Sequence, residues 1–291
     1  MDSGRSFLVT IGLAAGLAVA LPAGLARADT KIIRADDAVP GHPGVSYLDL
    51  VRQVVPDLAA NDAAHDIEGH LTRDVRHVAG KDYEGDPPDP VVLGWIEDQR
   101  IKVGGRSRIA ILADLGANAD RAQDTALLML FDDAPKPRLL DVVDVGMDKD
   151  SSFAERAKLP LGPGDDALIT YSEHFNSNQT YGIHLIVLVR RDRLQLVRDV
   201  FTLSSRACGW EEQEPLTITT RPDPGRPYRA IDVGVRVETK RNGEDCGEDA
   251  DLPKPRSLRF RVQFRWNKAR RRFEPSSDAL DRLWKLNQAS L

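Results

Sequence analysis

The chain has 291 residues, with 40 Lys and Arg against 45 Asp and Glu, and a formal net charge of −5. That mild acidity argues against a general nucleic-acid binder, which carries a basic footprint. The two cysteines, Cys208 and Cys246, are too far apart for a Cys-x-x-Cys redox pair.

The first element in chain order is a leader. Arg5 forms a basic n-region, Phe7 to Ala26 is apolar, and Ala26-Arg27-Ala28 is a small-x-small exit. The run is long enough to span a bilayer, but Gly12, Gly16, Pro22 and Gly24 interrupt it, so cleavage is expected over a retained anchor. No cysteine follows it, which excludes a lipid anchor at the new N-terminus, and no later stretch is apolar enough to span a bilayer. The expected location is the periplasm, with the extracellular medium second. Removing residues 1–28 takes Arg5, Arg27 and Asp2 and leaves a net charge of −6. In an oxidising compartment Cys208 and Cys246 are expected to pair. Closing that loop stabilises the fold by roughly 4 kcal/mol through unfolded-state entropy.

Residues 29–90 read as an N-terminal arm, a short helix and a linker. Ser46 caps the helix with Asp49 three residues on, and Leu48, Val51, Val55 and Leu58 share a face. Pro56 limits the helix, and Asp86-Pro87-Pro88-Asp89-Pro90 stiffens the linker. From Val91 the period becomes two. Strands are expected through 91–103, 107–114, 126–132, 138–145, 166–174, 181–190, 193–202 and 214–221. Two more run through Val233-Val235-Val237 and Leu258-Phe260-Val262-Phe264-Trp266. The short connections at Arg190–Arg193 and Lys268–Arg270 suit antiparallel hairpins. A closing helix from Ser277 to Ala289 carries Leu280, Leu283, Trp284 and Asn287 on one face. Residues 91–291 are thus a mainly β domain of antiparallel sheet, with a helix at each end of the chain. A sandwich, a curved sheet and a partial propeller all satisfy the pattern.

Three constellations carry chemistry. The densest is Glu173-His174-Phe175-Asn176-Ser177-Asn178-Gln179-Thr180-Tyr181. Phe175, Asn176, Asn178, Gln179 and Tyr181 offer amides and rings that can hydrogen-bond and stack on a sugar or peptide. Glu173 and His174 are the candidates for acid–base work, since His titrates near neutrality. The competing reading is a polar turn satisfying its own backbone.

The second is Asp114 to Asp124, where Asp114, Asn118, Asp120 and Asp124 place oxygens that suit a hard cation. This segment resembles the strand–Asp-rich loop–strand unit of the FG-GAP or VCBS calcium repeats, and Asp144 to Asp150 is a second copy of the pattern. The resemblance implies calcium as a cofactor. Ala117 and Ala119 stand where those repeats use glycine, and two polar hairpin loops are the alternative.

The third is charge. Lys254 to Arg272 holds nine basic residues and no acid, directly after five acids between Glu244 and Asp251. Arg259, Arg261 and Arg265 face away from the apolar side of their strand, where they can meet an anionic envelope polymer or be neutralised internally. His65, His70 and His77 lack the regular spacing of a zinc site.

There is no Gly-x-Ser-x-Gly elbow, His-Glu-x-x-His, Walker loop or dinucleotide fingerprint. The expectation is therefore a non-enzymatic exported binding or structural domain of the envelope, with an anionic polymer or glycan as partner and no nucleic acid. The alternatives are a hydrolase on envelope glycan or peptide working through the His174 loop, and a calcium-stabilised FG-GAP-like repeat protein.

Overall fold

The computed structural model describes residues 33–61, 66–83, 86–117, 123–246 and 252–289; the leader, His65, Asn118 and Asp120 lie outside the described residues. The described residues are mainly antiparallel β structure, arranged in three sheets. β1 (Ala59–Asn61), β2 (Asp66–Gly69) and β3 (Val91–Val92) form the smallest. β4 (Ile96–Val103), β5 (Arg106–Ala117), β6 (Asp124–Asp132) and β7 (Leu139–Asp144) form a four-stranded meander.

The nine-stranded sheet holds β8 (Ser152–Pro160), β9 (Asp166–Asn176), β10 (Gln179–Arg190), β11 (Arg193–Ala207), β12 (Trp210–Gln213), β13 (Leu216–Arg221), β14 (Ala230–Arg241), β15 (Arg256–Asn267) and β16 (Arg272–Pro275). Its order is β16-β15-β14-β12-β11-β10-β9-β8, with β13 pairing on β14. Helix α1 spans Tyr47–Val51 and α2 spans Ala279–Gln288.

Burial explains the two kinds of strand. β5 and β6 are near-continuous apolar runs because both of their faces are covered. Ile109, Ile111, Leu127, Met129 and Phe131 pack against Val39, Tyr47, Leu50, Val54, Val55 and Leu58. The opposite face, with Ala110, Leu112, Leu128 and Leu130, packs against Leu168, Leu185, Val187 and Val189 of β9 and β10. The segment read as arm, short helix and linker therefore supplies a wall of the first core. Asp141 of β7 fastens it: buried Asp141 accepts from Arg76 Nη2 at 2.7 Å and from Leu194 N at 2.8 Å.

β14 and β15 alternate because only one face is covered. Ile231, Val233, Val235, Val237, Val262, Phe264 and Trp266 meet Ile169, Ile186, Leu188 and Val200 from the other half of the same sheet. The nine-stranded sheet thus curls over its own core, and β13 comes alongside β8. α2 packs on β11 and β15 with Leu280 and Leu283 in that core. Two polar contacts hold it: Arg198 Nη2 to Asp281 Oδ1 at 2.6 Å, and Asn287 Nδ2 to Glu214 Oε2 at 2.8 Å. The β10–β11 turn places Arg191 and Asp192 at φ 53° and 57°, the left-handed pair that a two-residue hairpin requires.

Among the described residues no helix is long and apolar enough to cross a membrane.

Candidate functional site

The β9–β10 hairpin runs Asn176 opposite Gln179 at its tip. Beside it on β10's other edge lies β11, and the short β12 bridges β11 to β14. Val233, Val235 and Val237 are the inward row of β14, and Thr239 is the next residue on that face. Here the core ends and turns polar. Buried Glu212 of β12 accepts from Thr239 Oγ1 and, at 3.2 Å, from Arg256 Nη2 of β15.

Above this cluster opens a cleft of about 860 Å3. Asn176, Asn178 and Gln179 form one wall, and Trp210, Lys254 and Arg256 are among the residues of the others.

The disulfide closes the β11–β12 turn, whose flanking residues Ala207 and Trp210 line the cleft. Cys208, in the β11–β12 turn, is joined to Cys246, with Cα atoms 5.7 Å apart. Gly209 between the strands has φ +77°, and a Cβ there would stand 2.9 Å from Cys246 Sγ, so this turn needs glycine. Asn242 Nδ2 donates to Ala207 O at 2.9 Å and Trp210 O at 3.2 Å, fixing the backbone on either side of that turn.

The cleft's arginines are largely neutralised. Arg206 is paired with Glu244 at 2.6 Å, which holds the Glu244 carboxyl below its usual range. Arg256 is held by Glu212. Two residues from Glu212, buried Glu214 accepts from Leu203 N at 2.9 Å as well as from Asn287. Its Oε1 has no hydrogen-bond partner, and burial pushes the carboxyl up to about 7.

The structure divides the hairpin candidates. Asn176, Asn178 and Gln179 line the cleft. Tyr181 stands behind them, taking a bond from Asn176 Nδ2 at 3.2 Å and donating to Gln179 Oε1. Phe175 projects outward and is 71% exposed. Glu173 and His174 are not among the lining residues. Glu173 accepts from Tyr171 Oη at 2.9 Å, and His174 Nδ1 lies 3.1 Å from Asp148 Oδ1. Trp210 and Glu212 of β12 escape a sequence reading, and Lys254 and Arg256 are legible only as part of the basic run, because their meeting with the hairpin depends on the folded sheet. The one local signal is that Trp210 follows Cys208 by two residues.

The two Asp-rich segments meet. Asp124 N donates to Asp148 O at 3.2 Å, and Asp124 Oδ2 accepts from Asp150 N at 3.1 Å. Gly146 allows this, since a Cβ there would fall 2.0 Å from Asp124 O. Asp114 accepts from Gly116 N at 3.2 Å, and burial pushes it up to about 6. Among the described residues no three acidic, His or Cys side chains gather where they could hold a metal ion.

His70 pairs with Asp57 at 2.7 Å, and His77 is buried on Gly146 O at 2.9 Å.

Of the three outward arginines of β15, Arg265 is committed to buried Asp223, which Arg226 also contacts at 3.0 Å. Comparison with protein-family models, with curated proteins and with solved structures finds no match for this chain.

Proposed function

We propose that the protein is an exported, non-catalytic binding domain of the cell envelope, and that the cleft at the end of the curled sheet seats an uncharged, amide-bearing glycan. The observation that carries this reading is the lining itself: Asn176, Asn178 and Gln179 share one cleft with Trp210. Side-chain amides present a donor and an acceptor together, which suits sugar hydroxyls and acetamido groups. A tryptophan ring offers an apolar face to the C–H face of a pyranose. The volume is that of an ordinary small-ligand pocket. Arg206 and Arg256 are each paired with a glutamate, which leaves Lys254 as the lining cation without an ion pair among the described residues and favours a ligand of little charge over a polyanion.

The leader-like N-terminus and the Cys208–Cys246 disulfide support an extracytoplasmic, first of all periplasmic, location. A hydrolase working through Glu173 or His174 is the less favoured reading, because neither residue lines the cleft and each is turned to a protein partner. The test is calorimetric titration with N-acetylglucosamine oligosaccharides, together with an assay for reducing ends. Saturable binding without release of reducing ends supports the proposal; release of reducing ends would make the protein an enzyme.

A further inference from the structure

The outer face of β13, β14 and β15, on the side opposite their buried row, carries a second recessed surface. In the pairing register Gly234 of β14 stands between Thr217 of β13 and Arg261 of β15. Having no side chain, it leaves the sheet open at that point. A Cβ there would find Thr217 Oγ1 at 3.7 Å and Arg261 Cγ at 3.8 Å, so glycine is not forced by crowding. Two hollows of about 270 and 510 Å3 both take Thr217, Gly234 and Arg261 as walls and so form one trough along the strands.

The charge on this trough is unbalanced. Arg236 faces Arg259 directly across β14 and β15. Like charges in that position destabilise a sheet. Arg236 is offset by Glu238 at 2.8 Å, and the acid within the trough, Asp232, is already held by Arg221 at 3.0 Å. Arg259 and Arg261 are exposed and have no ion-pair partner among the described residues. They are two residues apart on one strand face, so their stems repeat at about 7 Å. A repeulsive arrangement of cations, kept on the surface of a net acidic chain and set along a groove, is complementary to an extended ligand with repeating negative charge.

We propose that this trough binds a linear acidic polysaccharide, its carboxylates received by Arg259 and Arg261. Guanidinium groups take carboxylates in a two-pronged geometry. A membrane surface fits less well, because the trough is recessed and no large apolar side chain among its lining is available for insertion. Single-stranded nucleic acid fits less well because no aromatic ring lines it for base stacking. The site is separate from the cleft and does not depend on what the cleft binds.

The test is titration of the whole protein with polygalacturonate at low salt, with neutral dextran, single-stranded DNA and anionic phospholipid vesicles as comparison probes. The expected result is binding of polygalacturonate that weakens steeply with added salt. Arg259→Gln/Arg261→Gln loses about tenfold in affinity, as expected for two lost charge-assisted contacts. Lys268→Gln/Arg271→Gln, which removes the same charge from the β15–β16 turn, and Trp210→Ala, in the cleft, bind as the parent does. Circular dichroism and melting confirm that each variant is folded. The proposal is overturned if polygalacturonate does not bind, if the two double variants lose affinity equally, or if DNA or vesicles bind more tightly than polygalacturonate.

Discussion

Glu214 Oε2 lies 2.8 Å from Asn287 Nδ2, so a carboxylate in the β12–β13 connection ties the last turn of α2 to the curled sheet. The pair is buried, with Glu214 5% and Asn287 1% exposed, and Glu214 Oε1 meets no donor. The bond therefore stabilises the closing helix while the charge it uses is costly.

The pH dependence follows from that cost. Burial raises Glu214 in the folded protein to about 7 from an ordinary 4.5. Below pH 4.5 the group is protonated in both states and contributes no pH dependence. Between 4.5 and 7 the unfolded chain releases the proton while the folded one keeps it, so stability falls as pH rises. Above 7 the loss is complete, at about 3 kcal/mol. Glu214→Gln keeps an acceptor for Leu203 N and Asn287 and removes the charge. Urea unfolding across pH 4 to 8 will show the variant gaining on the parent as pH rises. Parallel curves for the two proteins would exclude this role.

Removing the disulfide with Cys208→Ser/Cys246→Ser will lower stability by roughly 4 kcal/mol if the unfolded-chain entropy acts in full, and by less if the free segment keeps structure. Because the bond holds the turn that carries the lining residues Ala207 and Trp210, glycan affinity will fall even under conditions where circular dichroism shows the sheets intact. Unchanged affinity in a folded double variant would remove the disulfide from the account of the site.

Asp141→Ala will destabilise the protein by about 3 kcal/mol, because it leaves Leu194 N and Arg76 without their buried acceptor. Hydrogen exchange will show early loss of protection around residues 71–79 and β11. A change under 0.5 kcal/mol in denaturant unfolding would contradict this assignment.

Much of the fold is legible in the sequence, for reasons that also explain the gaps. β14 and β15 show their alternation because one face is wet. β5 and β6 are legible as apolar runs, though a sequence cannot say that two layers cover them. β8 escapes because a register shift between Phe153 and Lys158 breaks its period. β12 and β16 escape because each has only four residues, too few to show a period. Val39 and Val54 stand among polar and Gly/Pro-rich neighbours, which hides their place in the core, whereas Val55 is legible on the helical face it shares with Val51 and Leu58.

The candidate site is legible only in its local half. Asn176, Asn178 and Gln179 are adjacent in the chain, whereas Trp210, Glu212 and Arg256 reach them through pairings of β10 with β11, β11 with β12, and β14 with β15. The basic strand is legible as charge, but the commitment of Arg265 to Asp223 and the opening at Gly234 depend on the folded sheet.

The most direct measurement of the central claim is calorimetric titration of N-acetylglucosamine oligosaccharides into the parent protein and Trp210→Ala. Saturable binding to the parent is expected, with at least about a tenfold loss in the variant, the usual size of effect for an aromatic anchor at a binding site. Absence of binding to the parent, or equal affinity in the two proteins, would contradict it.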